Sequence, residues 1–369
     1  MSTSKSTLLV AALAAGLAGC AGGAQLPSSQ PGGQAGTQSA HSMAMARSAS
    51  LRGPFARANL NALAATRRPI VQGAPGVFTA TSKAMKPSTS WVIASSEYGE
   101  LDVYDAVNSA LLASCEYCGG WGASVNKKNG DLAVGTTFST VAVFAKSTPP
   151  YFSQYATLSL SSTSGWDPIG LAYDAKGGLY VGNLLSNEID YFSASTIASG
   201  GGSADLKLYP PDLYQVFYLA TDGDTLIADG VQPNTDNSVT ISVKSTRTGT
   251  KDTILQSQSS HYWFPGGLAV DKQHNLTINN QFGTTSTFAK PWTGNATTTL
   301  DWYNGSSDFT GIALGKSQQS MYWASTQETG SSVESNWFNG TYPLSQLTFQ
   351  TLPIANQIYI GIAVDPAAS

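Results

Sequence analysis

The sequence predicts an all-β protein, a six-bladed β-propeller of four-stranded blades closed by its own C-terminal strand. Three observations predict it. The first is a repeat. Gly170-Leu171-Ala172-Tyr173-Asp174 is an apolar run that meets an acidic turn, and Leu179-Tyr180-Val181-Gly182-Asn183 follows it. Two runs so joined read as strands in a tight hairpin. Copies begin at 122, 170, 218, 267, 311 and 361, so the intervals are 48, 48, 49, 44 and 50 residues. A period of that size with several strands per unit marks a propeller. The second observation is composition. Charged residues are 11% of the chain, against about a quarter in ordinary domains. Ser, Thr, Gly and Asn take their place, which suits strands and turns, and no segment sustains a helical period. The third lies at the ends of the repeat region. Residues 91–95, 100–104 and 111–114 read as strands two to four of a blade with no inner strand before them. Gly361-Ile362-Ala363-Val364-Asp365 reads as an inner strand with nothing after it. Joining the two completes a blade and removes exposed sheet edges.

Taken in order, the chain begins with a targeting segment. Lys5 supplies positive charge, and residues 8–17 form an apolar stretch too short to cross a bilayer. It ends in Leu17-Ala18-Gly19-Cys20, which resembles the bacterial lipobox, where the cysteine is lipidated and becomes the first mature residue. The resemblance implies that 1–19 is a lipoprotein signal peptide and that Cys20 carries the acyl anchor. Ala21 rather than Asp at the next position resembles the sorting signal for the outer membrane. The expected address is therefore the bacterial cell envelope, with the membrane as a partner through the lipid.

Residues 20–85 read as a flexible tether. Gly, Ala, Ser, Gln and Pro dominate 21–40, a composition that cannot bury enough apolar surface to order itself. Arg47, Arg52, Arg57, Arg67 and Arg68 follow without an acidic residue between them, as a solvated spacer or as an arm on anionic headgroups. The propeller is expected over 86–369, with its first strand near Trp91. The net charge of −4 argues against a nucleic-acid partner.

Within the blades, the inner strands are Gly, Ala, Leu, Ile and Val because six of them crowd one axis. The aspartates that end them, Asp174, Asp222, Asp271 and Asp365, are expected to cap their turns. The pattern Gly-Leu/Ile-Ala-Val-Asp, turn, Leu-Tyr-Val-x-Asn/Asp resembles the NHL-type propeller and the wider group of gluconolactonase-like propellers. That resemblance covers 91–369. It implies a six-bladed fold that carries binders, scaffolds, lactonases and quinoprotein enzymes alike.

The same resemblance places ligands where segments lead into the inner strands. Here those segments carry Trp121, Trp166, Tyr214, Phe217, Tyr262, Trp263, Phe264, Phe309 and Tyr359, with Asp167, Asp308 and His261 as the ionisable groups. Such rings either stack on a carbohydrate, a peptide or another envelope protein at the channel mouth, or fill the channel. The candidate ligand-binding set is Trp121, Trp166, Asp167, Tyr214, Trp263, Phe264, Asp308, Phe309 and Tyr359.

Catalytic sets are not assembled. Gluconolactonase-like enzymes hold a divalent metal with a Glu, an Asn and an Asp; the matching segments here offer only Asp167 and Asp308. That is at best a weak calcium site, so no cofactor is expected. His41, His261 and His274 are too scattered for a zinc triad. A binding or scaffolding module is thus the primary expectation, with a metal-dependent lactonase-like hydrolase and a purely structural envelope protein as alternatives. Cys115 and Cys118 sit at a strand end rather than at a helix N-terminus, so a local structural disulfide is expected rather than a redox dithiol.

Overall fold

In a computed structural model the described residues are 78–80, 90–96, 99–107, 110–136, 139–147, 151–161, 167–233, 237–247, 249–258, 265–280, 284–301, 307–315, 320–327, 330–337, 349–352 and 359–365; for 80, 258, 284, 300–301, 307–310, 320, 325–327, 330–337, 349–352 and 359, only the strand course is described. Contacts divide the chain into Met1–Gln38 and Ser39–Ser369, and every described residue lies in the second unit. The signal segment, Cys20 and the tether up to residue 77 lie outside the described residues.

The described strands form six sheets. Their inner strands are Gly120–Val125, Pro168–Tyr173, Gln215–Asp222, Pro265–Val270, Ser307–Leu314 and Tyr359–Asp365. Each inner strand touches the next in that order, and the last touches the first. The result is a closed ring of sheets, the arrangement of a β-propeller.

Closure comes from the chain end. Tyr359–Asp365 pairs antiparallel with Trp91–Ser96, with Trp91 opposite Asp365 and Ser95 opposite Gly361. Lys146 locks the junction from the neighbouring sheet. Its Nζ lies 4.6 Å above the Trp91 ring and pairs with the Asp365 carboxylate.

The inner strands pack backbone to backbone. A Cβ on Gly122 would lie 1.9 Å from the Ile169 carbonyl oxygen, and one on Gly361 would lie 2.4 Å from that of Trp121. Gly170, Gly267 and Gly311 hold the same repeat position, and a Cβ on each would lie 2.7, 2.2 and 2.8 Å from backbone atoms of the next inner strand. Near its upper end, where the inner strand begins, every inner pair breaks register, for instance between Gly120 and Ala123 and between Val216 and Leu219. Such bulges bend the strand and re-aim its side chains.

Local sequence accounts for the lower turns. Asp174 Oδ1 accepts the N–H groups of Lys176 and Gly178, each at 2.8 Å. Asp271 Oδ1 accepts those of Gln273 and Asn275 at 2.9 and 2.8 Å. Asn126 does the same for Lys128 at 3.0 Å. The capping expectation fails at Asp222. Asp222 reaches the next sheet, where it meets His274 Nδ1 at 2.6 Å and Lys290 Nζ at 2.8 Å. There a cation from an adjacent blade takes the carboxylate in place of the turn's own N–H groups. Asp365 pairs with Lys146, and the residues after it lie outside the described residues.

Three further features depart from expectation. Thr79–Ala80 adds an outer strand beside Leu111–Cys115, and Phe78, 3% exposed, packs 5.7 Å from the Phe144 and Phe152 rings. The fold therefore starts before residue 86. Gly201–Ser203 leaves its own blade and runs parallel to Phe152–Ser159 on the sheet before it. Between them sits a short helix, Ala194–Ala198, capped by Ser193, whose Oγ accepts the Thr196 N–H at 3.3 Å. Five residues are too few to show a helical period in sequence. Among the described residues no helix is long and apolar enough to cross a membrane.

Candidate functional site

Each inner strand is terminal in its sheet. Its outer side pairs with the second strand, and the edge turned to the axis has no strand beside it. Backbone N–H and C=O groups along that edge face the middle of the ring. There they bound an axial cavity of about 140 Å³, lined among others by Gly122, Ser124, Lys127, Thr221, Ile312 and Val364. A polar space of this size holds several waters or one small ligand group.

The two ends of the cavity differ. At the upper end Tyr218 stands where five other inner strands have glycine. Its hydroxyl donates to the Ile360 carbonyl at 3.4 Å. Tyr218 is on the third inner strand and Ile360 on the sixth, so the side chain spans the ring. The Tyr218 N–H donates to Asp229 Oδ1 at 2.6 Å. Asp229 is 1% exposed, and its other oxygen has no hydrogen-bond partner among the described residues. Burial pushes this carboxyl well above the usual carboxylate range, against the pull of the Tyr218 N–H.

At the lower end the lip is polar. The Thr221 hydroxyl donates to the Tyr173 carbonyl at 2.7 Å, tying two inner strands together. Lys127, an exposed residue on the turn after Val125, lines the cavity. Desolvation lowers its ammonium pKa, and Asp222 partly opposes that shift.

The residues singled out by sequence fare differently. Trp121 is 2% exposed and packs in the core with Ile169, Phe217 and Ile360, so this ring fills the upper end of the fold rather than lining an open mouth. Asp167 is half-buried; its N–H donates to Asn183 Oδ1 at 3.3 Å, and its carbonyl accepts the Leu184 N–H at 3.1 Å. Tyr214 is half-buried and donates its N–H to the Val231 carbonyl at 2.7 Å. Asp308 and Phe309 lie on Ser307–Leu314 and Tyr359 on Tyr359–Asp365, with their side chains outside the described residues. Trp166, His261, Tyr262, Trp263 and Phe264 lie outside them altogether. No described residue of this set lines the axial cavity. Lys127, Tyr218 and Asp229 were not singled out by sequence. The signal for Tyr218 was present, as the one copy of the repeat that lacks its leading glycine.

Cys115 and Cys118 form a disulfide, with Cα atoms 5.6 Å apart. The loop it closes is tied to the first sheet: Gly119 donates to the Gly99 carbonyl at 2.9 Å and Gly120 to Ser95 Oγ at 3.2 Å. Among the described residues no group of three His, Cys, Asp or Glu is placed to hold a metal.

A second ionisable cluster lies away from the axis. Lys207 Nζ is 2.6 Å from Glu188 Oε1 and 3.8 Å from Asp190 Oδ1. Asp190 is fully buried, and burial raises its pKa from 3.8 to about 7 although Lys207 pulls it down. The folded state then binds this proton more tightly than the unfolded state. Stability is expected to fall as pH rises from about 4 to 7 and to level off above that. Asp190→Asn removes the loss: urea denaturation is expected to show a gain of about 1–2 kcal/mol at pH 8 and little change at pH 4, screening by Lys207 and solvent keeping it below the full shift. An equal effect at both pH values would dismiss the buried carboxyl as its cause.

The ring of sheets and the axial cavity make this protein a β-propeller. Solved structures agree on the fold. The chain is similar to a candidate 6-phosphogluconolactonase of Bacteroides fragilis, at 12% identity and a TM-score of 0.50 over 76% of this chain and 99% of that one. It is similar to a functionally unknown protein of Desulfotomaculum acetoxidans, at 12% identity and a TM-score of 0.50 over 74% and 84%. At such identities the likeness speaks for the fold alone. No protein-family model and no curated protein matches the chain.

Proposed function

We propose that this protein is a lipid-anchored protein of the bacterial envelope whose six-bladed propeller, a divergent member of the NHL-type group, binds a ligand at its axial cavity. The anchor is Cys20, with the outer membrane as its address, and the tether lets the propeller search the space around it. The observation that carries the binding role is the cavity itself, bounded by strand edges that offer hydrogen-bonding groups and crossed at its upper end by Tyr218. Access is then from the lower face, where the hairpin turns end the inner strands. The ligand is a carbohydrate, a peptide or another envelope protein that presents a narrow polar group to that mouth.

The test uses the mature chain in detergent on glycan and peptide arrays, beside a Ser124→Phe variant that fills the cavity and a Cys20→Ser chain fractionated from cells. Binding lost in Ser124→Phe, with Cys20→Ser moving from the membrane to the soluble fraction, supports the proposal. Robust turnover of a lactone, or binding indifferent to Ser124→Phe, removes it.

A further inference from the structure

Resting on the reading of the axial cavity as the binding site, we infer that its lower mouth takes the anionic end of a ligand, a carboxylate or phosphate group, with Lys127 as the cation that selects it. Position is the first argument. Lys127 lines the cavity, whereas the adjacent Lys128 turns away and donates to the Lys176 carbonyl at 3.4 Å.

The turn fixes this arrangement. Asn126 Oδ1 accepts the Lys128 N–H at 3.0 Å, the Asn126 carbonyl accepts the Gly130 N–H at 2.8 Å, and Lys127 is held at the first corner of the hairpin. The same corner of the Asp271 turn is occupied by Lys272, so a second blade places a lysine at the matching position.

Commitment is the second argument. The other lysines of the lower face are engaged. Lys176 pairs with Asp224 at 3.4 Å, Lys290 with Asp222 at 2.8 Å, and Lys146 with Asp365. Asp222, the acid that acts on Lys127, already holds His274 and Lys290. Lys127 has no ion pair among the described residues. Desolvation at the cavity lowers the Lys127 pKa, and Asp222, already paired with His274 and Lys290, offsets that shift only in part.

Chemistry is the third argument. Beneath Lys127 the strand edges offer backbone N–H donors, and Ser124 adds a hydroxyl to the lining, the Thr221 hydroxyl being already given to the Tyr173 carbonyl. Carboxylate and phosphate oxygens accept from such groups, and a charge-assisted bond to the ammonium adds the discrimination that neutral donors lack. A cavity of about 140 Å³ admits one such group and not a whole sugar ring with its substituents, so the rest of the ligand stays outside the mouth.

The test separates charge from access. Amide resonances of the full chain in detergent micelles are followed while sodium acetate, or its neutral isostere acetamide, is added to the wild type, to Lys127→Gln and to Lys128→Gln. The expected result is saturable acetate shifts at Ser124, Lys127 and Thr221, an acetate Kd raised about tenfold in Lys127→Gln, and wild-type behaviour in Lys128→Gln. Equal binding of acetate and acetamide, unmoved by Lys127→Gln, overturns the anion assignment and leaves the cavity as a binding site. No shift at any lining amide with either compound overturns both.

Discussion

Replacing Gly122 with alanine is expected to cost at least about 3 kcal/mol, and to leave much of the chain unfolded at 37 °C. The added methyl would sit 1.9 Å from the Ile169 carbonyl oxygen and 2.7 Å from Leu171 Cδ1. The Leu171 methyl can turn away, but the carbonyl cannot. The carbonyl belongs to the next inner strand, so making room means moving that blade against its own neighbour, and in a closed ring the displacement returns to its origin. Gly223→Asn is the matched control. Gly223 has φ +60°, a conformation asparagine tolerates, and a Cβ there would meet nothing within 4 Å. Its cost is expected to stay below about 1 kcal/mol. Urea denaturation followed by far-ultraviolet circular dichroism checks both. A Gly122→Ala chain within 1 kcal/mol of wild type would mean that the inner strands do not touch backbone to backbone.

Deleting residues 359–369 is expected to abolish cooperative folding. The deletion removes the partner of Trp91–Ser96 over its full length and takes away Ile360, Ile362, Ala363 and Val364, all at most 4% exposed. Burying an Ile or Val side chain contributes about 1.5–3 kcal/mol, so Ile360, Ile362 and Val364 together account for roughly 5–9 kcal/mol. That is comparable to the whole stability of an ordinary domain. The loss also strips Lys146 of Asp365 and opens the buried Trp91–Ser96 strand as a bare edge, which invites aggregation. A broad, low thermal transition is expected in the truncated chain, and a synthetic peptide of residues 355–369 added in trans should restore a sharp one. Wild-type melting of the truncated chain would show that the ring holds without this strand.

Both effects arise from closure, and closure also bears on the site. A cavity on the axis exists because inner strands that touch their neighbours around the ring still leave a space between strands on opposite sides of it. Tyr218 adds an asymmetry that the repeat lacks. With Tyr218 across one end and Thr221 and Lys127 at the other, the two ends of the cavity differ chemically.

Much of this was legible in the sequence. The repeat of Gly170-Leu171-Ala172-Tyr173-Asp174 located every inner strand, because a strand pattern and its turn are written within about a dozen residues. The caps at Asp174 and Asp271 were legible for the same reason, since each carboxylate bonds N–H groups two and four residues ahead. The pairing of Trp91–Ser96 with Tyr359–Asp365 followed from counting which strands each end lacked. The rest depended on distance along the chain. Asp222 finds His274 and Lys290 at separations of 52 and 68 residues, and Tyr218 finds Ile360 at 142. Trp121 looked like a ring at an open mouth and is a core residue, because the blades beside it, not its own segment, decide its exposure. By itself the sequence determined the strands, their turns and the order in which the ring closes, since these rest on local backbone preference and alternation. Tertiary structure alone decided which side chains face the axis and which charges stay unpaired, since those depend on what neighbouring blades bring within a few ångströms.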